Sequence, residues 1–438
     1  MMENKENVLI FSSSTYPAMQ IIDCLKNNPL FHVIAAASYP NHAEFVCDDT
    51  IIDLPFISDP SFLSRIKQLI RDRNISFIIP TDDSIAFLLK ENEKELNAIV
   101  VCSPYETARL CRHKKLTFAA LAGEEYIPKI YDYSRIAEIK EYPVFIKPDS
   151  SQGSRGARLI DSCIELEHTE HLEDMVISEY LPGEEYTVDC FTNKNRELIF
   201  CNPRTRTRLM NGITARGNSI PYTEEFLKVI KGLNQKIHFR GYWFAQLKRD
   251  RFGKLKLLEI CTRFAGSFAI SKGKGVNLPL LALCDFSGRN ADVTVNDYTV
   301  VCDKTYIDRY RLSIDYDRLY VDYDDTITAQ NGQAVNEYVL AFLYQCRNKK
   351  KEIILITRHK DTFQEDLQES FNRLRLSRRL FDEVFELNWD QEKTDVMSNS
   401  VASIFLDNSF AERKKVYERL HIPVFDITNI DCLFDWRA

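Results

Sequence analysis

Two stretches of this chain alternate short apolar runs with helical segments, and a stretch without that alternation separates them. Residues 7–14, "NVLIFSSS", form an apolar run ending in small polar residues. "YPAMQIIDCLKN" then places Ile21, Ile22 and Leu25 on one side of a helix, and "FHVIAAAS", "ISFIIPTDD" and "AIVVCS" follow as further strands. Strands that alternate with helices build a parallel sheet, because a parallel connection must cross over the sheet. This α/β unit ends near residue 105. No glycine fingerprint follows its first strand, so no dinucleotide site is expected there. Residues 106–300 carry short strands with turns ("YPVFIKP", "DMVISEYL", "EYTVDCFT") and few helices, the pattern of an α+β region with antiparallel sheets. From about residue 315 the alternation returns in shorter form through "RLYVDYDD", "EIILITRH", "VASIFLDN" and "PVFDIT". The expected fold class is α/β and α+β multidomain, with domains at 1–105, 106–300 and 315–438 and a connection within 286–314.

At 438 residues the chain can bury several cores. Its net charge of −7 argues against nucleic acid as the main partner, since phosphate backbones need a basic surface. The 12 cysteines are scattered from Cys24 to Cys432 without a CxxC pair or zinc-ligand spacing, which reads as reduced thiols in a cytoplasmic protein. "MMENKENVLIF" has no apolar core for a signal peptide, and no run of about 20 apolar residues predicts a membrane span.

The first chemical feature is "YPVFIKPDSSQGSRGARLI". Lys147 ends a strand, and Ser150, Ser151, Gly153, Ser154 and Gly156 would let backbone N–H groups approach an anion. A polyphosphate cradle and an ordinary hairpin with a surface lysine both fit this loop. Farther on, "VISEYLPGEEYTVDCF" ends a strand at Glu179, and "GYWFAQLKRDRFGKLKLLEICTRFAGS" reads as a hairpin turning at Gly253. Gln246 and Glu259 would face each other across it, an oxygen pair suited to Mg²⁺. In "NPRTRTRLMNG", Arg204, Arg206 and Arg208 alternate with threonines and would share a strand face, with Arg216 nearby in "ITARGNS". Such a row is a solvated face or a site for an anion, here the γ-phosphate and an acceptor carboxylate. His168 and His171 in "EHTEH" read as a polar helix face.

Together these motifs resemble the ATP-grasp superfamily over roughly residues 1–300, most closely the branch of carbamoyl phosphate synthetase and carboxylate–amine ligases. The resemblance implies that Lys147 and a lysine in "CRHKKLTF", best matched by Lys114 with Lys115 second, contact nucleotide phosphates. The 151–156 loop would close over them. Glu179 and the Tyr180–Leu181 backbone would meet adenine, and Glu185 the ribose. Gln246 and Glu259 would hold Mg²⁺, and Arg263 would stabilise the transferring phosphate. Two departures stand out. His113 replaces the usual aspartate before the first lysine, and "EICTR" puts Cys261 where an asparagine ligand is usual. A neutral thiol is a poor ligand for hard Mg²⁺.

The second feature is "VDYDDTIT", which crowds Asp322, Asp324 and Asp325 behind a buried strand, so a cation is expected beside them. Asp-x-Asp-x-Thr at a strand end, Thr357 in "IILIT", Lys393 in "DQEKTDVM" and Asp407 in "IFLDN" resemble, in order, the motifs of haloacid-dehalogenase-like phosphohydrolases over about 316–438. The resemblance implies that Asp322 is the nucleophile and Asp324 the acid/base. Mg²⁺ would be held by Asp322, Asp407 and the backbone carbonyl of Asp324, with Lys393 as a second cation and Thr357 on the phosphoryl oxygens. Asn408 stands where a second acidic residue is common. The segment between Thr326 and Thr357, read as mostly one helix, leaves no room for a cap domain. The function expected is an ATP- and Mg²⁺-dependent ligase of a small carboxylate and an amine through an acyl phosphate, fused to a phosphatase of a phosphorylated small molecule. A metabolite kinase and a nucleotide-binding regulator are the alternatives.

Overall fold

The computed structural model describes residues 5–150, 155–210, 213–305, 307–359 and 366–437. Two compact units emerge: residues 1–306 with 437–438, and residues 307–436.

In the larger unit the chain opens with β1 (Glu6–Phe11), α1 (Tyr16–Leu25), β2 (Phe31–Ala36), β3 (Thr50–Ile51), α2 (Phe62–Asp72), β4 (Ile75–Pro80), α3 (Asp83–Glu91) and β5 (Ile99–Val100). The strands pair in parallel in the order β3-β2-β1-β4-β5. Leu9, Ile34, Ile66, Ile78 and Leu89 close the core beneath this sheet. Both helices that leave the carboxyl ends of β1 and β4 are capped. Thr15 accepts from the Ala18 amide with Pro17 in the first turn of α1, and Asp82 accepts from the Ser84 amide at α3.

The next sheet joins β6 (Ile130–Tyr131), β7 (Val144–Pro148), β8 (Arg158–Ile160) and β9 (Met175–Glu179) in the order β6-β9-β7-β8. The chain then runs through β10 (Glu185–Thr192), β11 (Leu198–Thr205), β12 (Arg208–Met210), β13 (Ile213–Asn218), β14 (Gly241–Arg249), β15 (Leu255–Cys261) and β16 (Val301–Asp303). Four of these form the antiparallel sheet β11-β10-β14-β15, and β12-β13-β16 form a three-stranded one. The turn between β14 and β15 works because Asp250 accepts from the Phe252 and Lys254 amides while Gly253 takes φ +79°. Trp243, stacked on Phe239 at 3.8 Å, anchors the core on one face of the four-stranded sheet.

The smaller unit holds β17 (Arg318–Val321), β18 (Thr328–Ala329), β19 (Ala334–Val335), β20 (Glu352–Thr357), β21 (Glu383–Glu386), β22 (Ser403–Leu406) and β23 (Val424–Phe425). Five strands form a parallel sheet in the order β21-β20-β17-β22-β23. Its central strand is buried on both faces: Leu319 and Val321 enter one core and Tyr320 the other. Between Thr326 and Thr357 the chain forms the β18–β19 hairpin and then a helix, Glu337–Asn348. The hairpin departs from the mostly helical expectation. Gln330, Asn331 and Gly332 all take positive φ, which an Asn-Gly turn allows and a helix does not.

Among the described residues no helix is long and apolar enough to cross a membrane.

Candidate functional site

Strand β7 carries Lys147 into a cavity of about 210 Å³. The lysine is buried, donates to the Leu258 carbonyl at 2.5 Å and stands 5.3 Å from the Phe118 ring. Burial lowers its pKa to about 8; Glu259 opposes that shift and Lys114 adds to it. Lys114, at the first turn of the helix Lys114–Ala120, lines the same cavity and donates to the Asp149 carbonyl at 3.3 Å. Lys115 is exposed and reaches the Glu173 carbonyl instead, which separates the two candidates geometrically. His113 meets the Asp149 carboxylate at 2.7 Å, and the other oxygen of that carboxylate accepts from the Lys115 amide.

Glu179 ends β9 with its carboxylate accepting from the Lys129 amide at 2.8 Å. Tyr180 and Leu181 follow it along the cavity wall. Glu185 begins β10 and forms an ion pair with Arg206, whose guanidinium also lies 3.5 Å from the Gln246 amide oxygen. The β14–β15 ladder sets Gln246 directly opposite Glu259. Cys261 lies two residues on, on the same strand face as Glu259 and buried, and burial holds its thiol well above the usual range and therefore neutral. Arg263 pairs with Asp83 at 3.1 Å and stands 5.2 Å from the Phe244 ring. Burial opposes its charge, but Asp83 together with Glu259 and Asp82 outweighs that and keeps it cationic. Gly156 takes φ +73°. Ser151, Gly153 and Ser154 lie outside the described residues.

The four arginines do not form one row. The chain leaves β11 after Thr205 and enters a different sheet at Arg208. Arg204 is fully buried in a two-bonded pair with Asp189, at 2.7 and 3.2 Å, and donates to Ser267 at 2.7 Å. Tyr242 donates to the same carboxylate. Arg204 and Arg206 line the cavity. Arg208 and Arg216 are cross-strand partners, exposed, and share Asp303. The expectation of a single anion-binding face is therefore corrected: internal carboxylates already answer most of this charge. His171 joins Glu173 and Asp174 in an exposed group whose ligand atoms lie within 4.8 Å of one another, an ordinary surface arrangement.

Residues 171–306 match the model of a family described as ATP-grasp in the biosynthetic pathway with Ter operon. The biotin carboxylase domain of Hydrogenobacter thermophilus 2-oxoglutarate carboxylase, solved with MgADP, ADP and bicarbonate, superposes with a TM-score of 0.54 at 16% identity, over 66% of this chain and 71% of that one. This chain contains an ATP-grasp fold. Campylobacter jejuni biotin carboxylase, in its β-γ-ATP complex, gives a TM-score of 0.54 at 15% identity over 66% of this chain and 72% of its own. An L-amino acid ligase from Bacillus licheniformis gives 0.52 at 18% identity over 64% and 73%. A comparison with curated protein sequences finds no match. Against this ATP-grasp frame, Lys114, Lys147, Glu185, Gln246, Glu259 and Arg263 all border one cavity, although the sequence spreads them over some 150 positions.

The smaller unit gathers a second cluster at the carboxyl ends of β20, β17 and β22, three neighbouring strands. Asp322 follows β17, Asp407 follows β22, and Lys393 sits between them, 2.5 Å from an Asp322 oxygen and 2.6 Å from an Asp407 oxygen. Burial opposes the charge on Lys393, but the two carboxylates outweigh it and raise its pKa. Burial and the Asp322 charge push Asp407 upward, because two carboxylates compete for one ammonium. Asp324 accepts from Thr357 at 3.2 Å and meets His359 Nδ1 at 2.6 Å. Burial raises its pKa, with His359 opposing. Asp325 is set apart: it takes φ +52° and accepts from the Asn331 amide in the hairpin. The third carboxylate of the cluster is Asp407. The sequence reading passed over His359, although its place two residues after Thr357 is the signal that could have found it. Thr326, the threonine of the Asp-x-Asp-x-Thr motif, was given no role from sequence; it donates to Asp322 at 3.1 Å and accepts from the Asn408 amide at 3.0 Å.

Proposed function

We propose that the chain is an ATP-dependent carboxylate–amine ligase whose smaller unit is a haloacid-dehalogenase-like, capless phosphohydrolase. The observation that carries the ligase reading is the convergence of Lys114, Lys147, Gln246, Glu259 and Arg263 on one cavity. In this reading residues 1–105 form the α/β domain preceding the ATP-grasp domain at 106–300, and 315–438 form the phosphatase domain. Lys114 and Lys147 bind the ATP phosphates, and the segment around Glu179 to Leu181 receives the adenine. The Gln246 amide and Glu259 carboxylate are hard oxygen donors on facing strands and fit Mg²⁺, whereas the Cys261 thiol does not. Mg²⁺ would neutralise charge on the phosphates and orient them. A carboxylate oxygen of the acid attacks the γ-phosphorus, and its bond to ADP breaks. An amine then attacks the acyl carbon, phosphate leaves, and the amine loses a proton. Arg263, kept cationic by Asp83, stabilises the phosphoryl group in transfer.

In the smaller unit, Asp322 would displace the leaving group of a phosphate ester, and Asp324 would protonate that group. Asp324 would then take a proton from the water that hydrolyses the aspartyl-phosphate. The oxygens of Asp322, Asp407 and the Asp324 carbonyl fit Mg²⁺, with Lys393 answering the remaining charge. A nucleotide-binding regulator is the second reading, favoured by the neutral Cys261 thiol at a metal position. Purified full-length protein, screened against pairs of carboxylic acids and amines, tests the first reading: ADP and phosphate should appear together only when both substrates are present. ATP binding without turnover for any pair would favour the regulator.

A further inference from the structure

The strand order of the first sheet leaves a crevice that the nucleotide cavity does not use. The chain steps from β1 to β2 on one side and returns from β3 to β4 on the other. The loops after β1 and β4 therefore diverge, and ligands of open α/β sheets bind at such a point, outside the carboxyl ends of the strands. A cavity of about 800 Å³ lies there, within the range of small-molecule sites. Thr15 to Pro17 and Thr81 to Ser84 line it from the sheet. Lys114, Glu259, Arg263 and Gly266 line both this cavity and the nucleotide cavity, so the two open onto the same reacting end.

The charges around this crevice do not balance. Asp83 is committed to Arg263 at 3.1 Å, and Asp82 accepts from the Ser84 amide at 2.7 Å to cap α3. Arg112 also faces the crevice. It donates to Ser84 Oγ at 2.9 Å and stands 5.9 Å from the Phe87 ring, and among the described residues it makes no ion pair. Arg155 lines the same cavity, and it too makes no ion pair among the described residues. Two guanidinium groups thus face the crevice with no ion pair among the described residues, although Asp82 and Glu259 also line it. Arg112 is oriented by a side chain at the start of α3, and its planar fork matches a carboxylate or a phosphate.

Resting on the ligase reading, we propose that the acid substrate is at least dianionic. One carboxylate lies at the Arg263 end and receives the phosphoryl group. A second anionic group, carboxylate or phosphate, is held by Arg112 and Arg155 in the crevice and takes no part in bond making. This moves recognition of the acid away from Arg208 and Arg216, which Asp303 already answers.

The test uses the full chain with ADP and Mg²⁺ and three probes that differ only in the remote group: propionate, succinate and 3-phosphonopropionate. Calorimetry should show at least one dianion binding tenfold or more tightly than propionate, and the tighter of the two dianions tells carboxylate from phosphate recognition. Arg112→Gln should remove that preference while leaving ADP affinity unchanged, and Arg112→Lys should keep part of it. Equal binding of all three probes, no binding by any of them, or a preference that survives Arg112→Gln overturns the proposal. ADP release is measured in parallel with acid and amine added. A dianion preference without acid-dependent ADP release supports the anion site and rejects the ligase reading. Acid-dependent ADP release without the preference does the reverse.

Discussion

Raising the pH across the Lys147 titration should weaken ATP binding by an amount the site itself sets. The lysine is buried, and its pKa is lowered to about 8. ATP phosphates need the ammonium form, so binding restores the proton and draws one from solvent wherever the free site has lost it. Above about pH 8 affinity should fall about tenfold per pH unit, so at about pH 9 the loss is roughly tenfold, or about 1.4 kcal/mol. Fold stability without nucleotide should move the other way. The unfolded chain binds a proton between about pH 8 and the ordinary lysine value near 10.4, and the folded chain does not, so this group's contribution rises with pH through that window. Calorimetry in buffers of different ionisation enthalpy reads the proton uptake directly. Lys147→Ala should flatten the profile and cost about 1.5–3 kcal/mol of binding at neutral pH. The reasoning fails if uptake is zero at about pH 9, or if the same pH dependence persists in Lys147→Ala.

Cys261→Asn should preserve or raise Mg²⁺-dependent ATP turnover, because it puts a hard oxygen where a neutral thiol now sits; a large loss with the fold intact would give the thiol a role of its own. Asp189→Ala strands Arg204 in a fully buried position and should cost about 3–5 kcal/mol in denaturant unfolding, whereas a change under about 1 kcal/mol would mean that the arginine finds water. Asp322→Asn should abolish hydrolysis of p-nitrophenyl phosphate and leave ADP release intact. Asp407 still holds Lys393, so stability should stay within about 1 kcal/mol, and loss of ADP release would show that the two chemistries are coupled.

What the sequence showed and what it hid divide along the range of the interactions. The parallel sheets were legible because alternation of apolar runs is local and its period is fixed by backbone geometry. The Gln246–Glu259 pairing was legible because a hairpin joins the two strands and Gly253 marks the turn. The arginine row misled because period two predicts a shared face only while the strand continues, and the chain changes sheets between Arg204 and Arg208. No local signal names Asp189 as the partner of Arg204, since the pairing depends on the β10–β11 register. Sequence likewise could not tell which of Lys114 and Lys115 lines the cavity, since that depends on how a short helix is turned; in the structure Lys114 lines it and Lys115 is exposed. The β18–β19 hairpin, in contrast, was available in the Asn331–Gly332 dipeptide and was masked by the helical pattern that follows it.

The two clusters are perturbed in opposite senses, and in each the sense matches the charge that the proposed function would bring there. In the ATP-grasp cavity, burial works against a lysine, and the result is an ammonium on the edge of losing its proton. An anion there would restore it, which is the requirement for a polyphosphate. In the smaller unit, burial works against Asp407, and Lys393 compensates only part of the carboxylate charge around it. A cation there would relieve the excess, and the donors are the hard oxygens that Mg²⁺ prefers. Arg204 and Asp189, in contrast, form a buried ion pair in the wall of the first cavity, each answered by the other. Desolvation that leaves one sign undercompensated is a cost to folding that a ligand of opposite charge would offset, and here it falls on Lys147 in one unit and on Asp407 in the other.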